Sequence, residues 1–253
     1  MDTLARETNR RVAKGGKSVY GAPLGILMLE TRFARIPGDI GNAETWPFPV
    51  LYRVVAGASP ERVVLRAAEG LLPAFVAAAR ELVALGAEAI TTGCGFLSLF
   101  QRELAAACAV PVATSSLVQI PLVQASLPPG KRVGVVTVSA RSLTRAHLEA
   151  VGAAADTPIA GTENGIELYR VLVGGEKPDL DVGLAAQDVL SAGQALVRGH
   201  PEVGAIVLEC TNMPPYAAML REALDLPIYD ITSLVRWLCS GLRPAAYQQS
   251  SAG

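Results

Sequence analysis

A chain of 253 residues is long enough for one large α/β domain or two smaller ones with a substantial core. Its residues are 51% apolar and its formal net charge is −1, which leaves no electrostatic footprint for nucleic acid or an anionic membrane and points to a small-molecule partner. Four cysteines without CxxC spacing and two histidines argue against a zinc site and against a disulfide framework.

The polar, basic opening MDTLARETNRRVAKGGKSVY lacks the apolar centre of a signal peptide, and no run approaches the roughly 18 apolar residues of a membrane span. A cytoplasmic protein is expected, with loose termini at 1–17 and 246–253. Further along, short Val- and Ile-rich runs alternate with longer Ala/Leu-rich stretches, the mark of buried parallel strands joined by helices and hence of an α/β fold. Strands are expected at 24–29 (LGILML), 50–55 (VLYRVV), 87–92 (AEAITT), 110–114 (VPVAT), 132–138 (RVGVVTV), 204–209 (GAIVLE) and 226–230 (LPIYD). Helices are expected over 61–85, broken near Gly70 and Pro73, and over 97–108, 141–152, 181–198 and 214–224. GTENG (161–165) and VGGEKPD (173–179) carry neither a Walker nor a GxGxxG pattern and read as turns.

The connection 30–50 is long for a βα loop. It reads either as a ligand-facing segment, with Arg32 pairing a substrate carboxylate and Asp39, Asn42 and Trp46 forming a lid, or as ordinary Pro-Gly-Asp and Gly-Asn turn chemistry.

A displacement of 116 residues lays AITTGCGFLSLFQRELAAACAVPVATSSLV on AIVLECTNMPPYAAMLREALDLPIYDITSLV. Ala89 falls on Ala205, Ile90 on Ile206, Cys94 on Cys210, Leu104 on Leu220 and Pro111 on Pro227, and one extra residue near the end restores SLV to SLV. LGILML and VGVVTV pair more loosely. Two similar α/β halves are expected, related by a pseudo-twofold axis, with Cys94 and Cys210 at strand carboxyl ends across one cleft. Cys108 and Cys239 lie among Ala, Leu and Trp and are expected to pack.

A thiol at a strand end and helix start sits in the field of unpaired backbone N–H groups, which favours thiolate. A Cys–His hydrolase is disfavoured, because His147 lies in a helical stretch and His200 precedes a strand at the far end. Two opposed thiols suit removal of a proton from one face of a carbon and its return to the other, the logic of a racemase. Donors for the developing charge are expected from Thr92, Gly93, Gly95 and Phe96 around the first cysteine and from Thr211 and Asn212 after the second. Thr137 and Ser139 add hydroxyls, or cap a helix starting near Ser142.

The segments TTGCGF and LECTNMPPY, with GKRVGVVTVSARSLT between them, resemble the aspartate/glutamate racemase superfamily over most of the chain, from about Tyr20 to Trp237. The resemblance implies two Rossmann-like subdomains with parallel sheets, 18–115 completed by 226–245, and 116–225, with the site between them. It implies Cys94 and Cys210 as the bases, Thr211 as the hydroxyl after the second, no cofactor, no metal, a small carboxylate partner and a homodimer. Glutamate racemases carry Asp-Ser after the first strand and Cys-Thr-His at the second cysteine. Here Glu30-Thr31-Arg32-Phe33 and Asn212 stand instead, which argues against free glutamate. Two retained cysteines favour racemisation or isomerisation over decarboxylation. The expected function is a cofactor-independent racemase or epimerase of an amino acid or related carboxylate. The alternatives are a cis–trans isomerase or decarboxylase using a nucleophilic or proton-donating cysteine, and a non-catalytic small-carboxylate binding protein.

Overall fold

Leu24–Met28 (β1) is buried along its whole length and pairs in parallel with Val50–Val54 (β2) on one side and Ala89–Thr92 (β3) on the other; Val112–Ala113 (β4) continues from β3. The second half repeats this arrangement. Arg132–Thr137 (β5) lies between Ile159–Gly161 (β6) and Val203–Leu208 (β7), and Ile228–Tyr229 (β8) pairs with β7, again all parallel. The sheet orders β2-β1-β3-β4 and β6-β5-β7-β8 are the same order shifted by four strands. The computed structural model describes residues 13–245, so most of the expected loose termini, 1–12 and 246–253, lies outside the described residues. Lys17, by contrast, is tied to Glu88 at 3.1 Å.

Helices cover both faces of each sheet, which is why the central strands read as continuous apolar runs. The first half supplies Leu72–Leu85 (α1) and Gln101–Ala107 (α2), and Ile120–Ser126 (α3) follows. The second supplies Arg145–Glu149 (α4), Leu168–Leu172 (α5), Val182–Gly199 (α6) and Ala217–Leu224 (α7), and Ile231–Leu242 (α8) ends the described chain. Matching glycines let the long helices close on the sheets. A Cβ on Gly25 would stand 2.8 Å from Ile90 Cδ1 and 3.1 Å from Leu82 on α1, and one on Gly134 would stand 2.8 Å from Leu196 on α6.

The halves exchange helices. After β4, Ser115 caps a short turn and the chain crosses to the second sheet, where Gln124 of α3 bonds to Val133 N at 2.9 Å. After β8, Asp230 caps α8, whose Ile231, Leu234 and Val235 pack on Leu24, Ile26 and Ala89 of the first sheet. The crossings touch: Gln119 Nε2 donates to Asp230 O and Ser233 Oγ to Gln119 Oε1, both at 2.9 Å. The segment 226–245 therefore divides. Its strand belongs with the second sheet and its helix with the first, so the sequence boundary at 226 falls one strand early.

Other expectations shift in detail. The helix over 61–85 is interrupted where Ala67, Ala68 and Gly70 take positive φ, and α1 restarts with Pro73 in its first turn. The helix at 97–108 opens as a tight 3₁₀ segment, Gly95–Phe100, and 141–152 yields only the five-residue α4. Neither β6 nor α5 was anticipated. Among the described residues no helix is long and apolar enough to cross a membrane.

Candidate active site

The carboxyl ends of β3 and β7 meet across the boundary between the two lobes, as expected for open α/β sheets. Thr211 Oγ1 joins the two ends directly by donating to Gly93 O at 2.8 Å, and neighbouring segments tie onto the β7 end through Ser116 Oγ to Leu208 O at 2.6 Å and Ile40 N to Thr211 O at 3.2 Å. A small pocket of about 30 Å³ opens at this junction, and Cys94 and Cys210 both line it. Cys210 is buried and Cys94 half-buried. Gly93, Gly95, Phe96, Thr211 and Asn212 also reach it, so the predicted motifs at both strand ends are brought together.

Four predicted residues do other work. Thr92 is buried, and its hydroxyl bonds to Cys94 O and Thr114 O rather than facing the pocket. Thr137 stands behind the wall and donates to Glu209 Oε2 at 2.6 Å. Ser139 is paired with Ser142 at 3.0 Å, and the cap of α4 is Thr144 rather than either of the residues expected. Arg32 is exposed; Arg35, three residues on, lines the pocket instead. Arg35 is drawn inward because the buried Asp39 needs a cation, and the two are joined at 2.6 Å while the guanidinium lies 4.6 Å over the Phe33 ring. In the 30–50 connection, Asp39 serves the site. Asn42 caps a short turn at Glu44, and Trp46 packs in the core, bonded to Ile40 O and the Tyr52 hydroxyl, so neither acts as a lid.

Sequence reasoning missed Glu209, which stands where the repeat has Gly93 and lines the pocket fully buried. One carboxyl oxygen accepts from Thr137; the other, Oε1, has no partner among the described residues. A Cβ on Gly95 would overlap both this oxygen and the Glu209 carbonyl, so glycine at 95 is what admits the carboxyl. Burial pushes the Glu209 carboxyl up from the ordinary 4.5 to about 7, against the opposing bond from Thr137.

The thiols depart from expectation. Burial, reinforced by the Glu209 charge, pushes both above the ordinary thiol range and outweighs the backbone N–H of Phe96 at Cys94 and of Asn212 at Cys210. Cys108 and Cys239 lie away from the pocket, packed against core residues. His147 is also held neutral, lowered to about 4 by burial, with its ring edge-on to Phe96 at 5.3 Å. Among the described residues no cluster of three or more His, Cys, Asp or Glu is placed to hold a metal.

The Glu209 shift has a testable sign. A carboxyl raised from 4.5 to about 7 contributes stability that is present below the lower value and lost as pH rises through the upper, about 3 kcal/mol in all. Glu209→Gln cannot ionise, so its stability relative to wild type should rise by about that amount between pH 4 and pH 8, read by urea denaturation at both. An unchanged difference would mean that Glu209 is ordinarily solvated.

No family model matches the chain. It is 26% identical over 234 residues to a dimethylsulfoniopropionate lyase of Durusdinium sp. clade D, covering 87% of this chain and 76% of that one. It is 29% identical over 230 residues to dimethylsulfoniopropionate lyase 5 of Emiliania huxleyi, covering 86% of this chain but only 45% of the relative. A variant of arylmalonate decarboxylase superposes with a TM-score of 0.59 at 14% identity over 90% of this chain and 97% of that one. Allantoin racemase from Pseudomonas fluorescens superposes at 0.52, with 14% identity over 90% and 94%. Two parallel four-stranded lobes that exchange helices and close on one pocket thus give the chain the fold of the aspartate/glutamate racemase superfamily.

Proposed function

We propose that the chain is a lyase that removes a proton next to a carboxylate and expels a leaving group from the neighbouring carbon, with dimethylsulfoniopropionate as substrate. The observation that carries this reading is the convergence on one pocket of two sulfurs, Cys94 and Cys210, and a buried carboxyl, Glu209, with an unpartnered oxygen. The relatives named as dimethylsulfoniopropionate lyases support the choice of leaving group.

Charge explains why such a substrate suits the pocket. Burial and Glu209 oppose thiolate, and the pocket-lining cation Arg35 is already paired with Asp39. A zwitterion changes both terms. Its carboxylate takes the remaining guanidinium donors of Arg35, and its sulfonium, near Glu209, brings the positive charge that makes thiolate favourable. A cysteine thiolate then takes the proton beside the carboxylate, and the C–H electron pair becomes the new double bond. The bond from the β-carbon to sulfur breaks with its pair left on sulfur, giving neutral dimethyl sulfide and acrylate. The proton on the cysteine passes to Glu209 or to solvent, so atoms and charge balance without an oxidant.

Racemisation is the second reading, favoured by the arrival of both cysteines from equivalent strand ends. Incubation with dimethylsulfoniopropionate should release dimethyl sulfide and acrylate one for one, by headspace gas chromatography and proton NMR. An intact substrate after prolonged incubation with folded protein would overturn the lyase reading.

A further inference from the structure

The two halves share a topology but not a chemistry at the cysteines. Phe96 and Asn212 are equivalent positions, two residues after each cysteine, and each turns its backbone N–H to that cysteine's sulfur. Their side chains differ. Phe96 is buried and apolar, whereas the Asn212 amide accepts from the Cys210 thiol, Sγ to Oδ1 3.4 Å, and donates through Nδ2 to Asp39 Oδ2.

An amide's two ends are interchangeable in shape, so its partners must decide which way it points. Asp39 decides it. Its Oδ1 accepts from Arg35 at 2.6 Å and from Gly41 N at 2.7 Å, and beside the guanidinium the carboxylate is an acceptor only. Its other oxygen therefore calls for the Asn212 NH₂, which leaves the amide oxygen for Cys210. That oxygen can only accept, and a thiolate has no proton to give.

We propose that the Arg35–Asp39–Asn212 chain holds Cys210 as the protonated thiol and leaves Cys94 as the sulfur that takes the substrate's proton, with Asp39 and Asn212 as positioning residues. The role of Cys94 toward a substrate rests on the lyase reading; the unequal protonation of the two cysteines does not. A fixed assignment suits proton abstraction from one face, whereas racemisation needs the two sulfurs to exchange roles. Besides Asn212, the groups facing Cys210 are Glu209, Cys94 and Asp39, with Tyr216 close by and Arg35 behind Asp39.

The test is residue-resolved alkylation of the full chain by iodoacetamide, quantified by mass spectrometry across pH, which requires no substrate. In wild type, Cys94 should be modified at lower pH than Cys210. Asn212→Leu removes the acceptor while keeping the Asp39 charge, and should speed Cys210 alkylation at pH 8 about tenfold, equivalent to a midpoint one pH unit lower, with Cys94 unchanged. Asp39→Asn should act in the same direction, since its amide can donate to Asn212 and turn the Asn212 NH₂ toward the sulfur. The wild-type order needs no variant, so a poorly folding substitution leaves the test intact. Cys210 reacting before Cys94 in wild type, or an unmoved Cys210 in folded Asn212→Leu, would overturn the proposal. Correct cysteine order with no cleavage of dimethylsulfoniopropionate would overturn the lyase reading alone.

Discussion

Cys94→Ala should lower kcat/KM for elimination by about 10³-fold, within the range of a lost general base, while Tm stays near that of wild type. Cys94 caps the 3₁₀ segment at the end of β3 without a side-chain bond to it, so its removal costs little packing. Phe96 and Leu97 beside it are apolar and offer the proton no other acceptor. Cys210→Ala should cost less, because a neutral sulfide departs without needing a proton. Equal collapse in both variants would instead indicate two interchangeable bases. Dimethyl sulfide release, measured beside thermal denaturation, separates loss of chemistry from loss of fold.

Gly95→Ala should destabilise the protein by about 1–3 kcal/mol and impair turnover. The added Cβ would overlap the Glu209 carbonyl and carboxyl, and the carbonyl belongs to the backbone of the opposite lobe. Relief therefore means parting the lobes or displacing Glu209 from Thr137. Gly93→Ala is the comparison, because its Cβ would meet the flexible Met28 thioether at 2.9 Å, which can move aside. A clearly lower Tm for Gly95→Ala than for Gly93→Ala is expected in differential scanning calorimetry; equal values would show that the close approach of the lobes is not required.

These effects depend on features of unequal visibility in the sequence. The duplicated lobes were legible because cysteine and proline are scarce enough for their repetition to matter: Cys94 and Pro111 recur at Cys210 and Pro227, and the strands around them pair identically. The split of 226–245 was not legible, since a single residue, Asp230, separates a strand of one sheet from a helix of the other. The edge strand β6 has only three half-buried residues and no periodicity to reveal it.

Within the site, both cysteines and their flanking glycines could be read, but depth could not. A helix start alone suggests a thiol of lowered pKa, and only the packed structure shows that burial and Glu209 win. One signal for Glu209 was present: an acidic residue ends the apolar run GAIVL at the place where the repeat has glycine. Arg35 was hidden because a connection without periodicity does not tell which of its arginines turns inward, and the burial of Asp39 settles that choice.

The central claim is one-way proton abstraction coupled to departure of the sulfide. Proton NMR in deuterated water, with wild-type protein, dimethylsulfoniopropionate and a panel of amino acids in one tube, tests it most directly. The predicted result is the growth of acrylate vinyl signals as the sulfonium methyl signal declines, with the amino-acid α-protons undiminished. Loss of an amino acid's α-proton signal to deuterium, with dimethylsulfoniopropionate intact, would contradict it.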